Sequence, residues 1–133
     1  MRTLKGRKLL DYWRDMNLLI PAGEYEKLEG RYHSNPQMTR HEDYLKEAVL
    51  EVMNNGFMMK EIGINLYTEE NEFDLVGITN SGYVICVEVK CSPRRIGEAR
   101  RRLIRFKRVM PNKKTHLYRY IGEIGLMEEV FLH

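Results

Sequence analysis

Apolar residues recur along this chain with two periods, one helical and one of strands. In residues 3–18, Leu4, Leu9, Leu10, Trp13, Met16 and Leu18 fall at helical spacing and predict a helix packed on the core. A polar stretch through "GRYHSNPQM" predicts a short helix and then a loop around Asn35-Pro36. A second helix is expected from Thr39 to the turn residues Asn55-Gly56, with Leu45, Ala48, Val49, Val52 and Met53 as its buried stripe. Three strands follow, at 57–67, 73–79 and 83–90, the last two joined by "TNSG", where Gly82 can take positive φ. In "IGEARRRLIRFKRVM", Ile96, Ala99, Leu103, Phe106 and Met110 share one side of a helix that Pro111 ends. Strands at 115–121 and 126–132 complete the pattern. This order predicts an α/β protein: a single domain over residues 1–133 with a mixed central β-sheet flanked by helices.

Composition narrows the class. A chain of 133 residues, 43% hydrophobic and 31% charged, suits one globular domain with an ordinary core. The sequence lacks an apolar run near the roughly 20 residues a membrane helix needs, so a cytoplasmic protein without a membrane partner is expected. Cys86 and Cys91 do not make a disulfide framework, and His33, His41, His116 and His133 lack zinc-ligand spacing. Cys86 is expected to serve packing.

Charge changes the picture more. From Arg94 to Lys114 there are ten Lys or Arg and one acid, a net of +9, whereas the other 112 residues hold 12 bases and 18 acids, a net of −6. Positive charge concentrated on an otherwise acidic chain suggests a polyanionic partner, most simply nucleic acid. Arg94, Arg95, Arg101, Arg102, Arg105 and Arg108 are the expected nucleic-acid contacts, the alternative for the arginine run being a solvated helix face.

The candidate chemistry lies just before this run. In "YVICVEVK", Val84, Cys86, Glu88 and Lys90 share a face that begins apolar and ends charged. If Asn80-Ser81-Gly82 form a three-residue loop, Thr79 pairs with Tyr83 and Asp74 stands opposite Glu88, about 4.5–5.5 Å away at Cβ. Such facing carboxylates call for a cation, and Mg²⁺ suits a pair of hard oxygen ligands. A four-residue loop would set Asp74 against Val87 instead. Glu42 falls about 50° from the centre of the second helix's stripe and is the helix acid best placed to face the sheet. It also fits a capping box with Thr39, in which its carboxylate would satisfy a helix-terminal N–H. His41 flanks the same stripe.

A helix acid at Glu42, "FDLVGI" carrying Asp74 and "CVEVK" carrying Glu88 and Lys90 together resemble the PD-(D/E)XK nuclease superfamily over residues 40–114. The resemblance implies a restriction-endonuclease-like core of order α-β-β-β-α-β over 39–133, with residues 1–38 as an N-terminal helical extension. It implies that Asp74 and Glu88 hold Mg²⁺ or Mn²⁺, joined by Glu42, and that Lys90 steadies charge on the phosphate. Phe73 stands where the superfamily's name puts proline. Small archaeal Holliday junction resolvases share the core and the length, without so long an extension.

The leading expectation is therefore a divalent-metal-dependent DNA endonuclease with Glu42, Asp74, Glu88 and Lys90 as its site. A homodimer would suit the cutting of two strands. Two other readings stand beside it. One is a nuclease-like subunit that binds DNA without cutting, with the Ile96–Met110 stripe as a subunit seam. The other is an interaction domain on which "VEVK" is surface.

Overall fold

The computed structural model describes residues 4–33, 39–111 and 114–132. The Asn35-Pro36 loop and Lys113 of the basic stretch lie outside the described residues. Helix α1, Arg7–Asp15, is shorter than its apolar pattern because Gly6 (φ 57°) and Asn17 (φ 57°) put left-handed backbone at each end. Strand β1, Ile20–Pro21, leads into 3-10 turns over Ala22–Arg31, and α2, Thr39–Asn54, stops at Gly56, φ 88°. Then come β2, Met59–Tyr67, β3, Glu72–Thr79, β4, Val84–Lys90, α3, Ile96–Val109, β5, Thr115–Ile121, and β6, Leu126–Glu129. β2 begins two residues later than its apolar run because Met58 has φ 50°, outside strand geometry.

The six strands lie in chain order in one sheet; β4 and β5 are parallel and every other neighbouring pair is antiparallel. A parallel pair needs a crossover, and α3 supplies it. The sheet is thus mixed and helix-flanked, as the pattern predicts.

Two cores form, one on each face. Leu9, Leu10 and Trp13 of α1 join Leu103, Phe106 and Val109 of α3 over Val76, Val84 and Cys86. Leu45, Ala48, Val49 and Val52 of α2 join Ala22 and Leu28 over Leu75, Ile85 and Val87. The α3 stripe is therefore core: Ala99, Leu103, Phe106 and Met110 are buried within the chain, which removes the proposed subunit seam. Cys86 is buried packing and Cys91 is a free thiol. Among the described residues, no helix is long and apolar enough to cross a membrane.

The N-terminal segment is integral rather than appended. Trp13 is fully buried, its indole Nε1 donates to the Tyr67 carbonyl at 2.8 Å, and its ring meets Phe73 edge-on. Phe73 in turn meets Phe106 edge-on at 5.1 Å, so an aromatic column runs from α1 to α3 beside Asp74. At Gly63 the Leu18 carbonyl oxygen would lie 2.3 Å from a Cβ, so only glycine lets this segment approach β2. Truncating Trp13→Ala opens the column and orphans a carbonyl. It is expected to cost about 3–5 kcal/mol in urea unfolding, with a matching loss of order at Phe73; a cost below about 1 kcal/mol would mean the segment is dispensable.

Candidate functional site

The β3–β4 hairpin sets the site's register. Gly82 takes φ 89°, its N–H donates to the Thr79 carbonyl, and the Thr79 N–H donates to the Tyr83 carbonyl at 2.8 Å. Leu75 pairs with Val87 and Ile78 with Val84, the register of the three-residue loop, which extends to Asp74 opposite Glu88. Leu75–Val87 is the last described pair of the ladder, and beyond it side chains take over the bonding. The Asp74 N–H donates to Glu88 Oε2 at 3.0 Å, and the Val89 N–H donates to Asp74 Oδ2 at 2.8 Å. Each carboxylate thus accepts a backbone N–H of the opposite strand.

On the other side of β3, Asn65 lies between the pairs Ile64–Leu75 and Leu66–Phe73, across from Asp74, with φ 50°. Ile64 and Leu75 belong to the α2 core, Leu66 and Phe73 to the α3 core. The strands therefore exchange faces at Asn65 and Asp74, and this break frees Asp74 from strict alternation. A left-handed asparagine is unusual, and here it marks the candidate site.

Cations approach the two acids from both helical layers. From α2, His41 Nε2 donates to the Val89 carbonyl at 3.1 Å and stands 3.5 Å from Asp74 Oδ2, while Nδ1 is 3.4 Å from Glu42 Oε1. Both ring nitrogens face only oxygen acceptors, which the doubly protonated ring satisfies. The bond to Asp74 raises the His41 pKa above its ordinary value against the opposing effect of burial, helped by the charges of Asp74 and Glu42. From α3, Arg102 places Nε 3.8 Å from Glu88 Oε1 and donates from Nη1 to the Glu72 carbonyl at 2.9 Å.

Glu88 is wholly buried, and among the described residues its Oε1 has no hydrogen-bond partner. Burial first, and the Asp74 charge second, push its carboxyl well above the usual carboxylate range. Asp74 is nearly as buried, yet it lines an open cleft of about 790 Å³ together with Lys90, Cys91, His41, Arg40, Arg95 and Arg102. Glu88 lies beneath that floor.

Of the predicted acids, the fold brings Asp74 and Glu88 together, with Lys90 at the same strand end. Glu42 is buried on the sheet side of α2, as its helical angle predicts, but its Oε2 accepts the His33 backbone N–H at 3.0 Å. It reaches Asp74 only through His41. Accordingly, no group of three or more His, Cys, Asp or Glu is arranged to hold a metal among the described residues. The two-acid site still fits a hard divalent ion: one oxygen of each carboxylate is fixed by backbone N–H groups, and Glu88 Oε1 is buried without a partner.

The basic residues divide. Arg95 and Arg102 line the cleft, though Arg95 pairs with Glu98 at 3.2 Å and Arg102 is turned to Glu72 and Glu88. Arg94, Arg101, Arg105 and Arg108 are exposed, the last three on the helical face opposite the buried stripe of α3. Arg40, which the sequence did not single out, joins the cleft from α2. His41 was visible only as a flank of a stripe; its meeting with Val89, 48 residues away, had no local signal.

The raised Glu88 pKa fixes the sign of a stability effect. Its contribution is complete below the unfolded glutamate pKa, near 4.3, and is lost as pH rises through the folded value. Glu88→Gln should remove that loss and raise the thermal midpoint at pH 7 by roughly 4 °C or more, the response of a chain of this size to about 1 kcal/mol. Calorimetry from about pH 4, near the unfolded glutamate value, up to neutrality checks it: parallel curves for wild type and variant would show that Glu88 is not destabilised by its surroundings.

Comparison of the chain with protein-family models, curated proteins and solved structures found no match, so its functional reading rests on the site's own chemistry.

Proposed function

We propose that this protein is a divalent-metal-dependent nuclease acting on DNA, with Asp74, Glu88 and Lys90 at its centre and Glu42 and His41 behind them. The observation that carries the reading is the pair of buried, neighbouring carboxylates at a splayed strand end, with Glu88 Oε1 unpartnered. Burying two acids together is costly unless a cation relieves them. The cations on the floor and walls of the cleft fit a phosphodiester.

Asp74 and Glu88 would hold Mg²⁺ or Mn²⁺. Such an ion lowers the pKa of water and relieves charge on a phosphoryl oxygen. The chain's own residues do the rest. The Asp74 and Val89 amides hold the two carboxylates in place before substrate arrives, which spares reorganisation during reaction. Lys90, half-buried at the end of β4, lines the cleft, where its ammonium would steady charge growing on the attacked phosphate. Arg40 and Arg95 suit the flanking phosphates, and Arg94, Arg101, Arg105 and Arg108 suit backbone farther along the same strand or its complement. These are backbone contacts, which position without reading sequence. The Glu42–His41–Asp74 chain ties α2 to the site.

A second reading, a subunit that grips DNA without cutting it, draws on one observation: Glu42 is occupied by the His33 amide, so a third ligand is not in place.

Cleavage of linear, nicked, branched and single-stranded DNA with Mg²⁺ or Mn²⁺ separates the two. Asp74→Ala and Glu88→Ala should each lower the rate by at least about a hundredfold, the scale of losing one transition-state electrostatic contact. Lys90→Ala should lower kcat more than it raises KM. Equal rates in all four proteins, or salt-dependent binding indifferent to EDTA without any cleavage, would overturn the nuclease reading. Independently, Arg105→Ala with Arg108→Ala should weaken duplex binding alike for all sequences and flatten the salt dependence by about 0.9 per lost phosphate contact.

A further inference from the structure

Arg102 is the cation nearest Glu88, yet it is poorly matched to it. Nε stands 3.8 Å from Glu88 Oε1, too far for a hydrogen bond, and among the described residues that oxygen has no hydrogen-bond partner. The guanidinium is held elsewhere, by the Nη1 bond to the Glu72 carbonyl at 2.9 Å. Its side chain is 40% exposed and lines the cleft, whereas Glu88 is fully covered. Arg102 therefore acts on Glu88 by proximity alone, from a position open to the cleft. Its only described hydrogen bond has a neutral acceptor, a bond that is weak in net terms and cheap to give up.

A divalent ion on Glu88 Oε1 would face this guanidinium at close range, and the two positive charges would repel. The side chain has an exit, because it already borders the cleft. There its planar fork of donors matches a phosphate.

We infer that Arg102 couples ion binding to polyanion binding: it stands over Glu88 in the ion-free protein and passes to a substrate phosphate when a divalent ion takes that oxygen. The inference rests on the nuclease reading of the site. By linkage the coupling is reciprocal, so a phosphodiester that draws Arg102 outward also tightens the ion. Arg102 is then a residue shared in turn by the acid and the substrate, rather than a permanent phosphate contact like those expected of Arg105 and Arg108.

The test uses the full chain, with Mn²⁺ alone as the first probe and free Mn²⁺ read by electron paramagnetic resonance. Arg102→Gln removes the competing charge and should tighten Mn²⁺ about tenfold, the scale of one nearby unit charge in a partly solvated site. Arg102→Lys keeps the charge and should match wild type, which separates charge from packing. Asp74→Asn serves as the control for the ion site and should lose Mn²⁺. An unchanged or weaker Mn²⁺ affinity in Arg102→Gln, with Asp74→Asn still impaired, overturns the coupling and leaves the ion site standing. Mn²⁺ binding absent from wild type, or indifferent to Asp74→Asn, removes the ion site and the coupling together.

A second arm follows a fluorescein-labelled DNA duplex by anisotropy, with and without Ca²⁺. Without the ion, wild type and Arg102→Gln should bind alike, because Arg102 is engaged with Glu72 and Glu88. With it, wild type should gain about tenfold more than the variant, the value of one charge-assisted phosphate contact. An equal gain in the two proteins would overturn the transfer of Arg102 to phosphate.

Discussion

The exchange of backbone bonds for carboxylate bonds at the end of the β3–β4 ladder is the constraint on which the site depends. A regular antiparallel ladder would have satisfied the amides of Asp74 and Val89 with opposing carbonyls. Here Glu88 Oε2 and Asp74 Oδ2 accept from them instead. Two acids are thereby drawn below the surface and into each other's field, which a sheet serving only stability would avoid. The cost falls on Glu88, whose covered carboxyl is pushed toward its protonated form. Buried ionisable groups strained in this way tend to mark function.

What holds the acids in this position is the packing around them rather than their own bonds. Phe73 precedes Asp74 and is clamped edge-on between Trp13 and Phe106. Val87 and Val89 flank Glu88 on the α2 side, and Cys86 sits in the opposite core. Asn65, in left-handed conformation across from Asp74, sends Leu66 and Phe73 to one core and Ile64 and Leu75 to the other. A side chain at such a crossover belongs to neither face. Asp74 can therefore meet His41 of α2 while its backbone N–H holds Glu88, whose other oxygen meets Arg102 of α3.

Much of this was legible in the sequence wherever the signal is local. Gly82 suits the third position of a three-residue loop, which carries the Asp74–Glu88 register, but the sequence leaves a four-residue loop open and the fold decides for the shorter one. The stripe of α2 placed Glu42 toward the sheet, and the stripe of α3 placed Leu103 and Phe106 in the core. The rest depends on contacts between distant segments, which periodicity does not encode. It gives a residue's face but not its neighbour, so Arg102 read as one more phosphate contact although its nearest partners are Glu72 and Glu88. Likewise the bond from the His33 amide to Glu42 joins α2 to the preceding segment, a contact that no local pattern at Thr39–Glu42 carries. Asn65 gave no signal, since a left-handed residue inside an otherwise regular β pattern is invisible to alternation.

The arrangement of charge around the acids has one further consequence. His41 and Arg102 stand on opposite helical layers, and each leans on one carboxylate without fully satisfying it: 3.5 Å from Asp74 Oδ2 and 3.8 Å from Glu88 Oε1. Closer approach would make two tight ion pairs and a stable, closed site. Looser approach would leave two buried charges unrelieved and favour unfolding or permanent protonation. The intermediate distances keep the fold viable while leaving Glu88 Oε1 without a hydrogen-bond partner among the described residues. Stability for such a centre has to come from elsewhere, and the two apolar cores supply it from both faces of the sheet. The N-terminal segment belongs to that supply: without Trp13 against Phe73, the residue before Asp74 would lose the wall that fixes it.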